Sequence, residues 1–305
     1  MSHWLLICPS VWYRCRRVLP EPAMKIYICV DSEGQGAITR EKDPVSVYGP
    51  WQAEYNRRRA TDETTACVEA ARDAGADEII VHDCGFIRGV TPGGLTLHYD
   101  ELPRGIGIVM GGAGLLSVID ETFDGVVLLG HHSMAGTPNG VMAHTFSSAE
   151  IADMRLNRRS IGEIAMEALQ FGSIGVPVIM VSGDDKACDE AKQWLGDIET
   201  APVKHGLGNH QALSLHPKDA DNLIRQKTAA AIDRLGEFSP FTIPPPYELE
   251  VECFTEEIAA HRATLPLTQR TGPRTVALKT TNVLDFTHQM TAAGTWSNLE
   301  TPPKP

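Results

Sequence analysis

The stretch 24-MKIYICVDSEGQG-36 decides the fold. Residues 25–30 form a short, continuous apolar run rich in β-formers. It stops at Asp31-Ser-Glu-Gly-Gln-Gly36, a turn punctuated by glycines. A run apolar on both sides fits a strand covered on both faces, which is the habit of parallel sheets. The same texture recurs downstream. Residues 78–82 (EIIVH), 105–110, 125–129 (GVVLL) and 176–181 (VPVIMV) read as further strands. Helical patterns lie between them. Residues 61–74 open on a Thr cap and close at Gly75, residues 161–171 stop at Gly172, and residues 184–195 follow the fifth strand. This alternation predicts an α/β protein whose main part, residues 24–205, is a mostly parallel three-layer α/β/α domain.

After Lys204 the texture changes. Residues 212–215 read as a strand and 218–235 as an amphipathic helix. A Pro-rich link follows at 240–246, and residues 247–253 (YELEVEC) alternate as a half-exposed strand does. Residues 255–264 read as helix and 274–279 (RTVALK) as strand. The expectation is a smaller two-layer α+β domain over 206–293, with 294–305 as a tail. Residues 1–23 make a poor secretory signal, with no charged region before the short apolar run and no small-residue cleavage site. They read as a non-structural extension or a mis-assigned start, with Met24 opening the folded chain.

Composition excludes several classes of function. The 305 residues include 39 acidic and 27 basic side chains, a net charge of −12. A protein gripping nucleic-acid phosphates shows the opposite balance. Surface solubility and metal-neutralised carboxylates both fit an acidic chain. No apolar run reaches the roughly 18–20 residues of a membrane span. Seven cysteines, odd in number, widely spaced and without a CxxC, are not a disulfide framework, which points to a reducing, cytoplasmic setting.

In open α/β sheets ligands gather at the carboxyl ends of strands. Strand one delivers Asp31 and Glu33, strand two His82, Asp83 and Cys84, and strand four His131 and His132. Glu163 opens a helix. Carboxylates with imidazoles suit Zn, Mn or Fe(II), and an Asp-x-Glu pair can serve two ions. Each residue also has an ordinary reading: turn acids for Asp31 and Glu33, a packed and an exposed histidine at 131 and 132, a strand-end histidine at His144. Glu163 reads equally as a first-turn acid favoured by the helix dipole. The coincidence at strand ends carries the metal reading. A dinucleotide site is poorly supported, because Glu33-Gly-Gln-Gly36 lacks the full G-x-G-x-x-G and Gly111-Gly-Ala-Gly114 lacks an acidic partner some 20 residues on.

The segments VDSEG (30–34), LLGHHSMAGTPNGVMAH (128–144), IGE (161–163), PVIMVSGDD (177–185) and APVK (201–204) resemble the DppA-type D-aminopeptidases, zinc peptidases of bacterial dipeptide-transport operons. The resemblance runs in order from Met24 to about Ala293. It implies an α/β domain with a smaller C-terminal domain, a two-zinc centre and a ring-shaped homo-oligomer, a decamer in that family. It implies Asp31 as the bridging carboxylate, with Glu33, His132 and Glu163 as further zinc ligands and His144 as the catalytic residue. His131 falls on the variable position before the ligand.

The chain departs from the family at strand two. Where the family reads Asp-Ser-His, with the His a ligand, this chain reads His82-Asp-Cys-Gly-Phe-Ile-Arg88. Without a gap, Gly85 replaces the ligand. With a one-residue deletion, Cys84 takes its place and keeps the spacing to Arg88. A thiolate is a good zinc ligand, and a small buried hydrophobe is the other reading of Cys84. The implied function is a metal-dependent hydrolase of short peptides or amides that removes an N-terminal D-residue, with one or two Zn2+ per subunit. Two alternatives stay open: a metallo-amidohydrolase acting on a non-peptide amide or lactam, and an inactive ring-forming homologue.

Overall fold

Ile26, Tyr27, Ile28, Cys29 and Val30 are all fully buried. In the computed structural model, which describes residues 23–40, 49–84, 96–110 and 114–290, this run is strand β1 (Lys25–Val30). In chain order there follow α1 (Gly49–Asp73), β2 (Glu78–Asp83), β3 (Gly107–Val109), β4 (Gly125–His131), β5 (Ile151–Leu156) and β6 (Arg159–Ser160). Next come α2 (Glu163–Ser173), β7 (Val178–Asp184), α3 (Asp185–Leu195), β8 (Glu199–Gly208), β9 (Gln211–Ser214) and α4 (Pro217–Asp233). The chain continues through β10 (Tyr247–Cys253), α5 (Glu256–Arg262), β11 (Thr268–Arg270) and β12 (Thr275–Thr280).

Seven strands form the main sheet in the order β3-β2-β1-β4-β7-β8-β9. Every pairing is parallel except β8 with β9. Helices α1 and α4 cover one face, setting Ala66, Ala71, Ile224 and Ala231 against Ile26, Ile28 and Val127. Helices α2 and α3 cover the other, setting Ile164, Phe171 and Ala187 against Tyr27, Cys29 and Leu128. These are the three layers read from the sequence. The chain runs outward from β1 to β2 and β3, then returns to lay β4 on the other side of β1. That reversal is the topological switch point, where a crevice opens beyond the strand ends.

A second, antiparallel sheet has the order β11-β12-β10-β5-β6. Tyr247, Leu249, Val251 and Cys253 alternate inward from β10 and share a core with Ala165, Met166 and Leu169 of α2. Helix α2 is thus packed on both sides, and Ile164–Gly172 are all buried. Its N-terminus, with Glu163, is held between the two sheets.

The boundary expected at residue 205 falls inside β8. Strand β9 pairs with β8, and α4 packs on α1, so the main sheet and its helices extend well past it. The change of texture there marks a half-exposed edge of the same sheet. Conversely, β5 and β6 belong to the second sheet although they precede the boundary. Their polar residues hid them: Arg155 and Asp153 sit on the open face, and Arg155 is paired with Glu250 and Asp153. Helix α1 also starts 12 residues before the Thr61 expected to cap it. Among the described residues no helix is long and apolar enough to cross a membrane. Residues 1–22 and 291–305, and with them the extension and tail, lie outside the described residues.

Candidate metal centre

The turns after β1 and β4 are pressed backbone to backbone. The Asp31 amide donates to the Leu129 carbonyl at 2.8 Å and the Gly34 amide to the Gly130 carbonyl at 2.7 Å. A Cβ on Gly34 would stand 2.0 Å from the His131 carbonyl oxygen, so only glycine lets the two turns meet. Beneath them lies Lys204 of β8, 2% exposed. Its Nζ donates to the carbonyls of Glu33 (2.5 Å), Gln35 (2.9 Å) and Ile38 (2.7 Å). Three donors meet three acceptors, and burial pushes the ammonium down to about 8. Lys204→Met keeps the stem and strips the donors. It is expected to cost about 3 kcal/mol of stability, read as a lower denaturant midpoint, and to loosen metal binding at Glu33.

The segment carrying His144 is fixed from α3. Asp184 caps the helix by accepting from the Ala187 amide (2.7 Å) and accepts the Val141 amide with its other oxygen (2.6 Å). Asn139, Met142 and Phe146 all hold left-handed backbone there, strain that the surrounding hydrogen bonds sustain.

Both histidines are oriented by carbonyls. His132 Nδ1 donates to the Ser133 carbonyl at 3.0 Å, and His144 Nδ1 to the Met142 carbonyl at 2.8 Å. Each therefore presents Nε2. His132 Nε2 lies 3.1 Å from Glu163 Oε1 and 3.6 Å from Asp31 Oδ2, and His144 Nε2 lies 3.8 Å from Glu163 Oε1. The two rings stack with centroids 3.9 Å apart. The Phe146 amide donates to Glu163 Oε1 at 2.6 Å, and the Ser32 hydroxyl to Glu33 Oε2 at 2.8 Å. Two overlapping groups of ligand atoms result: Asp31, Glu33 and His132, and His132, His144 and Glu163. Within each, all atoms lie within 4.8 Å of one another.

The electrostatics call for a cation. Asp31, Glu33 and Glu163 crowd into a nearly dry space. Burial, then Glu33, pushes the Asp31 carboxyl well above the usual carboxylate range. Burial works against charge on His132 and Glu163, but their mutual attraction prevails, raising His132 well above the imidazole range and lowering Glu163 to about 2. One imidazolium leaves two of the three carboxylates uncompensated, whereas a divalent ion takes the carboxylate oxygens and the His132 Nε2 lone pair together. Backbone carbonyls on Nδ1 are the usual outer support of metal-binding histidines. The residues present fit a metal.

Asp31, Glu33, His132, Glu163 and His144 are thus brought together. Cys84 is not in either group. Its Sγ lies 2.7 Å from Cys29 Sγ. Gly85 and Arg88, on which its alignment turned, lie outside the described residues. Sequence reasoning missed Glu190 of α3, 5% exposed, whose Oε2 accepts the Met134 amide at 2.7 Å and whose carboxyl burial raises to about 7. The signal was Gly162: a Cβ there would stand 2.3 Å from Glu190 Oε1. Lys204 and Asp184 lay within motifs noted above without a role.

A family model described as D-aminopeptidase (peptidase family M55) matches residues 24–292. The D-aminopeptidase of Bacillus subtilis (strain 168) is 30% identical over 266 residues, 86% of this chain and 93% of that protein. The solved structure of the Zn-dependent D-aminopeptidase DppA from Bacillus subtilis, described as a self-compartmentalizing protease, superposes with a TM-score of 0.78 at 29% identity. The match covers 88% of this chain and 95% of that one.

Proposed function

The chain belongs to the D-aminopeptidase family, and on that premise we propose that it is a zinc-dependent aminopeptidase releasing N-terminal D-residues from short peptides or amides. One observation supports this reading above the others: Asp31, Glu33, His132, Glu163 and His144 arrive from four separate segments and face one small space. Asp31, Glu33, His132 and Glu163 would hold the zinc. A bound zinc ion supplies Lewis acidity, polarising a carbonyl oxygen and acidifying water at neutral pH.

The remaining work falls to the protein's own groups. His144 is fixed through Nδ1, which leaves Nε2 free to move a proton or to attack at the scissile bond. It is more open than His132, with its side chain 13% exposed against 2%. Asp184 holds the backbone that carries it, and Glu190 holds the loop after His132. Selection for a D-residue rests on the handedness of the pocket.

Purified protein supplied with zinc, assayed on D-Ala and L-Ala amides and on D-Ala dipeptides, should release D-alanine and spare the L-amide. Turnover of lactams or non-peptide amides alone would favour the amidohydrolase reading, which the position of Cys84 outside both ligand groups keeps in view. Zinc near zero per chain would favour an inactive homologue. We further infer a homo-oligomer in a reducing cytoplasm. The five described cysteines are all free, and the relative DppA is self-compartmentalizing. Light scattering on the eluting protein should give a mass several times the 33.2 kDa chain.

A further inference from the structure

The three elements that build the candidate centre each carry a second polar residue that it does not use. Strand β1 carries Cys29 ahead of Asp31, β4 carries His131 ahead of His132, and α2 carries Glu167 one turn after Glu163. These three converge in their own space on the α2 side of the sheet. His131 Nε2 lies 2.9 Å from Glu167 Oε2 and Cys29 Sγ 3.9 Å from the same oxygen. One ligand atom from each lies within 4.8 Å of the other two. Cys84, at the end of β2, brings its Sγ to 2.7 Å from Cys29 Sγ.

We propose that Cys29, His131 and Glu167 form a second, buried metal site that takes a divalent ion of the zinc class, with Cys84 packed against the Cys29 sulfur.

The surroundings favour an ion over plain packing. Cys29, His131 and Glu167 are at most 7% exposed, inside a layer of Tyr27, Ile164, Ala168 and Phe171. Burying an imidazole, a carboxylate and two sulfurs together in an apolar layer costs free energy unless each finds a partner. The His131–Glu167 pair satisfies one nitrogen and one oxygen, and the Cys29 sulfur, already in contact with Cys84, sits 3.9 Å from that same carboxylate oxygen. A disulfide would explain the sulfurs but not why an imidazole and a carboxylate share the spot. One ion engages all three groups of the cluster. A thiolate, an imidazole and a carboxylate are a donor set suited to zinc. As the ion enters, the Cys29 thiol gives up its proton to solvent and the sulfur's electron pair becomes the metal bond.

The test uses donor chemistry that the candidate hydrolytic centre lacks, since that centre offers only oxygen and nitrogen. Metal-stripped, reduced full-length protein is titrated with cobalt(II), and the near-ultraviolet sulfur-to-cobalt charge-transfer absorption is followed. The expected result is that band at one sulfur-bound cobalt per chain, lost in Cys29→Ser and weakened in Glu167→Gln, with zinc displacing it. Three results would overturn the proposal. Absence of the wild-type band with all thiols reduced makes the cluster an ion pair packed against two thiols. Two thiols missing from the count in denaturant until a reductant is added make the pair a disulfide. A band that survives Cys29→Ser and vanishes in Cys84→Ser assigns Cys84 to the hydrolytic centre. The wild-type arms decide even if a variant does not fold. D-Peptide hydrolysis, measured separately, tests the enzymatic reading on its own.

Discussion

Asp31→Asn is expected to remove more zinc and more turnover than any other single change at the centre. The substitution keeps the shape and discards the charge. Asp31 is the carboxylate that feels Glu33, His132 and Glu163 at once, so its charge is the one an ion at the centre would offset most. Changes to outer supports of metal sites cost about 10–100-fold in affinity or activity; losing this oxygen ligand should cost more. Stability separates a metal effect from misfolding. Burial and Glu33 raise the Asp31 carboxyl above its unfolded value, so in metal-free protein its ionised form is destabilising at every pH above the ordinary carboxylate range. Metal-free Asp31→Asn should therefore melt no lower than metal-free wild type at neutral pH. With zinc added, wild type should melt higher and the variant should respond little, because an ion that binds only the folded state stabilises it. A metal-free variant that melts well below metal-free wild type would make Asp31 a folding residue instead.

The strands β1, β4 and β10 were legible because each carries its whole burial pattern in local sequence: continuous for the two inner strands, alternating for the third. The site residues were legible for a related reason, since a parallel strand must end in the crevice and Asp31, His132 and Glu163 each follow an apolar run or open a helix. What the sequence hid depends on partners distant in the chain. Strand β5 is a strand through pairing with β10, roughly a hundred residues on, and its Asp153 and Arg155 break the apolar run that marks the inner strands. Lys204 carries no local sign of burial until three carbonyls from the β1 turn are seen to surround its Nζ. For Cys84 the resemblance leaves two readings, a zinc ligand that keeps the family's spacing to Arg88 and a small buried hydrophobe. Its side chain lies against Cys29 on the neighbouring strand, a diagonal contact that only the parallel register of β1 and β2 reveals.

His144→Ala should lower kcat/KM by about 10²–10⁴-fold, the range for a positioned acid–base group, while zinc stays bound at the wild-type level. Three features of the geometry separate its role from that of His132. Its Nε2 stands 3.8 Å from Glu163 Oε1, against 3.1 Å for His132, so it is the looser neighbour of the shared carboxylate. It lies on the open side of the stacked pair. Its loop is set by Asp184 and by left-handed backbone at Asn139 and Met142, so its position survives without help from the metal. Zinc content by elemental analysis, taken beside the rate, decides between the roles. Activity lost with zinc retained makes His144 the group that acts on the substrate. Activity and zinc lost together would make it a ligand of the His132–Glu163 group, and the proton or the attack would then have to come from elsewhere in the crevice.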